Sequence, residues 1–143
     1  MTESASTTWN TAWSSAEGAA RVEALFAAHF DGAADGVWSA PGRVNLIGEH
    51  TDYNGGLCLP IAIEHRTYIA LRLREDSQIR LASAQSDVVW EADLDDVAPG
   101  AVSGWGSYVA GVAWALRADG IEVPGFDAVV DSCVPFGAGL SSS

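Results

Sequence analysis

The chain has 143 residues, 48% of them hydrophobic, which suits one packed domain and not a disordered segment. Nineteen acids stand against seven arginines and no lysine, a net charge of −12, which argues against nucleic acid or an anionic membrane as partner, since both require a basic face. Two cysteines, Cys58 and Cys133, are too few for a disulfide scaffold or a cysteine-based zinc site, and each sits in an apolar run as a free thiol would. No leader-like segment opens the chain and no apolar run approaches the ~18 residues of a membrane span, so the expected location is cytoplasmic.

Residues 1–12 are Ser/Thr-rich and read as a flexible N-terminus. Ser14-x-x-Glu17 has the form of a capping box, and Val22, Leu25, Phe26, His29 and Phe30 make one helical stripe that Gly32 stops. Residues 37–39 and 43–47 read as short strands around a Pro41-Gly42 turn, and Gly48 breaks the second of them. Residues 52–56 carry turn chemistry, and residues 57–63 are apolar and extended, with Pro60 pointing to an edge or a bulge. Tyr68, Ala70 and Arg72 alternate with Ile69, Leu71 and Leu73, as in a half-buried strand, and residues 78–83 follow a turn as its hairpin partner. Residues 88–92 form another strand and residues 93–100 an acidic loop. Ser103 is placed to cap a helix with the stripe Trp105, Tyr108, Val109, Val112 and Leu116, which Gly120 ends. A strand over residues 126–134 is closed by Pro135. Strands followed by helix, strand and loop make the class α+β.

The run APGRVNLIGEHTDYNGG, residues 40–56, concentrates polar groups beside a short apolar stretch. Carboxylates accept hydrogen bonds from paired sugar hydroxyls, an imidazole donates or accepts, and glycines let a backbone approach a ligand closely. Glu49, His50, Thr51 and Asp52 are therefore candidates to bind a polyhydroxylated substrate, and Arg43 is a candidate to stabilise charge on a reacting oxygen. Each residue also has an ordinary reading: a surface ion pair for Arg43, a solvated loop histidine for His50, an Asx-turn for Asp52. A metal site is disfavoured because EHTD lacks the spacing of a helical zinc motif.

Gly137, Ala138, Gly139, Leu140, Ser141, Ser142 and Ser143 follow the last strand. Free backbone N–H groups at a glycine-rich helix start attract phosphate, although the same residues also make an ordinary turn and cap. A lysine-containing phosphate loop is excluded, because the chain has no lysine.

Taken together, RVNLIGEHTDYNGG and VPFGAGLSSS resemble the first two motifs of the galactokinases, within the superfamily that also holds homoserine, mevalonate and phosphomevalonate kinases. The resemblance runs from about residue 22 onward and shows no departure within the first motif. It implies the N-terminal domain of that superfamily, a mixed sheet with helices, truncated before its last elements. It implies galactose on Glu49, His50, Thr51 and Asp52, with Arg43 as a catalytic residue near the anomeric oxygen. ATP phosphates would lie on residues 137–143, with magnesium on Ser143, and Trp105 and Ser83 would touch the nucleotide. Residues 13–65 would form the galactose-binding region and residues 66–143 the start of the ATP-binding part. The implied activity is ATP-dependent phosphorylation of α-D-galactose to galactose 1-phosphate. The family's catalytic aspartate and acidic magnesium ligand come after the serine loop, so this chain alone is expected to be inactive; without the helix that should follow Ser143 and cover part of the sheet's apolar face, it is also expected to be marginally stable. An apolar groove is expected near its C-terminal side. The alternative is a non-catalytic galactose- and ATP-binding module or sensor.

Overall fold

The computed structural model describes residues 11–137 and 140. Helix α1 (Ser15–His29) begins where the capping box predicts, with the Glu17 amide donating to the Ser14 hydroxyl at 3.2 Å. Strands β1 (Gly36–Ile47), β2 (Leu59–Leu73), β3 (Gln78–Ser83), β4 (Ser86–Asp93) and β5 (Phe126–Ser132) form one sheet in the order β1-β2-β5-β3-β4. Every neighbouring pair is antiparallel except β3 with β5. The crossover between those parallel strands runs through β4 and helix α2 (Ser107–Ala118).

The two helices cover opposite faces of the sheet. Val22, Phe26 and the adjoining Phe30 pack on Tyr68, Ala70, Ala82 and Val129. Ala110 and Ala113 of α2 share a second cluster with Ile79, Leu81, Phe126 and Ala128. Alternate residues of β2, β3 and β5 thus feed different cores, so the strands at the centre are apolar on both faces. Among the described residues no helix is long and apolar enough to cross a membrane.

The structure revises five local expectations. Pro41-Gly42 is a register shift inside the continuous β1, where the chain stays paired with β2 instead of turning back. The segments before and after Glu64 are one strand, β2; Pro60 lies on the part of β2 that pairs with β1 alone. Residues 78–83 do not form a hairpin with β2, because β5 is inserted between them. Ser103 does not cap α2; the N-cap is Gly106, and the Ser103 carbonyl accepts the Trp90 indole N–H at 2.9 Å. The expected stripe of α2 also splits: Ala110 and Ala113 are buried, while Tyr108 and Val112 remain mostly exposed.

The insertion of β5 has an electrostatic reason. Asp127, in the middle of the sheet, is fully buried. Its carboxylate receives Arg72 at 2.6 Å, Arg80 at 2.7 and 2.9 Å and Arg74 at 3.1 Å. Arg72 and Arg80 are its register partners on the two flanking strands. Burial pushes the Asp127 carboxyl up, but the hydrogen bonds from Arg80 and Arg72 outweigh it and hold the group below the ordinary 3.8. Arg74 also grips Asp76, and that hydrogen bond holds the Asp76 carboxyl at about 2.

Asp127→Ala leaves three guanidinium groups without their shared partner and is expected to cost about 3–5 kcal/mol, measurable by urea unfolding at neutral pH. Because the folded-state value is depressed, the Asp127 contribution is complete above pH 3.8 and disappears as pH falls through the folded value. The difference between the unaltered chain and Asp127→Ala should therefore shrink below that pH.

Candidate functional site

β1 and β2 extend beyond β5 as a two-stranded ribbon, and residues 48–58 cross its tip. Gly48 has φ 93°, and a side chain there would collide with the Leu57 carbonyl and Cys58. The Thr51 hydroxyl closes the loop by donating toward the Gly48 carbonyl at 2.6 Å and the Leu57 carbonyl at 3.0 Å. Asp52 opens a short 3-10 turn that ends at Asn54. His50 adopts φ 64°, a left-handed backbone rarely taken by a side-chain-bearing residue, and the Asn54 amide holds its carbonyl at 2.7 Å. The His50 ring meets the Tyr53 hydroxyl at 2.6 Å through Nδ1. Glu49 and His50 are both exposed.

Arg43 lies on the same ribbon. Six of the seven arginines are engaged: Arg72, Arg74 and Arg80 with Asp127, Arg21 with Asp131 at 2.9 Å, Arg117 with Asp95 at 2.8 Å, and Arg66 with Ser39 at 3.0 Å. Among the described residues, the Arg43 guanidinium has no hydrogen bond or ion pair, and it is exposed. The ordinary reading of Arg43 as half of a surface ion pair finds no counterpart at Glu49, while the other partner considered, the Asp52 side chain, lies outside the described residues.

The second motif reaches β1 at the same place. The Arg43 amide donates to the Leu140 carbonyl at 3.1 Å, across the edge of β1 that faces away from β2. Gly42 makes that approach possible: an added Cβ would stand 3.0 Å from the Leu140 oxygen and 2.9 Å from Ile63 Cδ1. Gly137 turns with φ 69°. The candidate residues Ala138, Gly139, Ser141, Ser142 and Ser143, and the side chain of Asp52, lie outside the described residues.

On the α2 side of the sheet, an apolar groove of about 950 Å³ runs between β1, β2 and α2. Trp38, Ile69, Leu71, Trp105, Tyr108 and Phe136 contribute to its walls. The Trp105 indole N–H is buried without a partner among the described residues. Ser83 lines the groove, with its hydroxyl accepting from the Gln85 amide at 3.2 Å. Ala40 and Pro41 line the same groove, so β1 joins groove, serine loop and histidine loop in that order. Ser83 and Trp105 are thus brought together on one wall system, while Glu49 and His50 sit at the far end of β1.

Three neighbours of the candidates escaped the sequence reading. Gly42 matters through what packs on it, which no spacing reveals. Tyr53 stands three residues after His50, an offset that becomes a contact only once the turn is known to be 3-10. Both polar side-chain atoms of Asn45, between Arg43 and Gly48, are buried and unpartnered among the described residues.

The family described as the galactokinase galactose-binding signature matches residues 24–73. A galactokinase from Streptomyces coelicolor is 52% identical over 110 residues, which is 76% of this chain and 28% of that protein. The crystal structure of Lactococcus lactis galactokinase complexed with galactose superposes with a TM-score of 0.72 at 41% identity, covering 85% of this chain and 32% of that one. Methanococcus jannaschii mevalonate kinase shares the fold, with a TM-score of 0.58 at 22% identity over 78% of this chain and 36% of that one. The chain thus spans about three tenths of the length of the curated relative it matches.

Gly42→Ala is expected to push the Leu140 carbonyl away from β1. Amide hydrogen exchange checks this: the Arg43 amide should lose protection while the amides of β5 keep theirs.

Proposed function

Because the chain belongs to the galactokinase family, we propose that it supplies the sugar loop and part of the nucleotide site of an enzyme that phosphorylates α-D-galactose. The γ-phosphoryl group of Mg-ATP would pass to the anomeric hydroxyl, giving galactose 1-phosphate. The observation that supports this reading is the Arg43–Leu140 backbone hydrogen bond, which brings Leu140 of the second motif onto β1 at the residue whose guanidinium is uncommitted among the described residues. Phosphoryl transfer is chiefly positioning and charge stabilisation, and both require sugar and phosphate sites to adjoin.

In this reading Glu49 and Asp52 accept hydrogen bonds from sugar hydroxyls, and His50 adds a further polar contact. Thr51 acts through the loop it closes. Arg43 stabilises negative charge near the anomeric oxygen. The backbone of residues 137–143 holds the phosphates, and the apolar groove takes the adenine ring between Trp105 and the sheet, with Ser83 at its polar border. The buried, unpartnered indole N–H of Trp105 suits a ligand that brings an acceptor into an otherwise apolar wall. Magnesium would shield the phosphate charge, held in part by Ser143. Residues 13–65 then serve the sugar and residues 66–143 the nucleotide.

The test is galactose-dependent ADP release by the protein expressed from the open reading frame that carries this sequence. Turnover on galactose is expected, and turnover only on another sugar or on mevalonate overturns the reading. Galactose binding without ADP release points to a sensor. Arg43→Ala should lower kcat by about 10²–10³-fold with little change in the KM for galactose.

A further inference from the structure

We propose that Tyr53 is a positioning residue for His50, fixing the imidazole tautomer in which Nε2 carries the proton. The two residues meet at 2.6 Å between Nδ1 and the phenolic oxygen, with ring centroids 5.8 Å apart and planes at 75°. An imidazole nitrogen is a far better base than a neutral phenol oxygen, so the bond runs from the Tyr53 O–H to Nδ1. Nδ1 is then the acceptor, and in a neutral ring the proton resides on Nε2. His50 is left with an N–H donor, beside a Glu49 carboxylate that only accepts. A donor and an acceptor side by side complement a sugar hydroxyl pair, one of which accepts while the other donates.

Core packing does not account for the contact. Tyr53 is 71% exposed and His50 is exposed as well. The arrangement nevertheless takes a left-handed backbone at His50 and is braced by the Asn54 amide on the His50 carbonyl. A backbone conformation so rarely used is retained where the surroundings over-determine it. Here they aim one ring at one hydroxyl. Among the described residues, no other contact of His50 engages Nε2.

The role of the Nε2 proton toward a sugar rests on the galactose reading above; the tautomer itself does not. The protein from the open reading frame is labelled with ¹⁵N-histidine, and long-range ¹H–¹⁵N spectra are recorded above neutral pH. The His50 signals are assigned by their loss in His50→Gln. The unaltered protein is expected to show an unprotonated Nδ1 and a protonated Nε2. Tyr53→Phe keeps the ring and removes only the hydroxyl. It should move the His50 nitrogen shifts toward the mixture of a free imidazole and raise the KM for galactose about two- to tenfold, leaving the KM for ATP unchanged. Identical His50 shifts in the two proteins overturn the proposal, as does an unchanged KM for galactose. If the unaltered protein does not turn over galactose, the functional reading fails, and the nitrogen shifts alone then decide whether Tyr53 sets the tautomer.

Discussion

Asp127 is a carboxylate removed from water at the centre of the sheet, and such a charge persists only with cations already in place around it. Arg72 and Arg80 stand directly opposite it on β2 and β3. A slip of one residue in either pairing would turn an arginine to the other face and leave the carboxylate short of a partner. The ion cluster therefore selects both the neighbours of β5 and their registers. Everything at the site inherits from this choice. β2 is fixed against β5 from Thr67 to Leu73, so its earlier half projects past β5 with only β1 for company. That projection is the ribbon that carries the histidine loop. β1 is left as an edge strand, and its free edge at Arg43 is where the Leu140 carbonyl docks.

The same cluster explains why Arg43 stands out. In a chain with no lysine, seven arginines supply all the fixed positive side-chain charge. Three serve Asp127, and Arg21 ties α1 to the buried Asp131 while stacking 4.1 Å over Trp13. Arg66 and Arg117 bind partners near their own strands and turns. A protein with this acid excess offers many carboxylates to any arginine on its surface. An arginine that takes none of those described, on a strand next to a glycine-rich loop, is more informative here than it would be in a basic protein.

Local chemistry was readable from the sequence wherever partners lie close in the chain. The Ser14–Glu17 cap, the α1 stripe and the Gly48 break depend on offsets of a few residues, and the structure has them as expected apart from His29, which is exposed. Strand order depends on Asp127 meeting arginines some fifty residues away, and no periodicity encodes that. A hairpin between β2 and β3 was the local choice, and a distant charge overrode it. The α2 stripe misled for a related reason: an apolar helical face reads as core, yet Tyr108 and Val112 line an open groove while two alanines make the close contact with the sheet. At the site, residue types identified the loop, but the Tyr53 and Gly42 contacts needed the backbone in three dimensions.

On the proposed reading, an acidic chain that must handle a phosphorylated nucleotide faces a problem of sign. A net charge of −12 repels an anion at long range, and counter-ions screen that repulsion only beyond about 8–10 Å. Inside that distance the balance is local. With six arginines committed among the described residues, the positive potential for a phosphate would, on the proposed reading, come from backbone amides of the second motif, from magnesium and from Arg43. The Gly42–Leu140 approach places the Leu140 carbonyl against the Arg43 backbone, so on the proposed reading the second motif and Arg43 would serve one small region instead of two. On the proposed reading this is where the phosphoryl group must pass to reach a sugar held by the neighbouring loop. The buried carboxylate of Asp127 and the guanidinium of Arg43 are thus two sides of one allocation of charge: the fold commits three of its seven arginines to setting strand order and three more to other contacts, and Arg43, unpaired among the described residues, stands beside the edge that order creates.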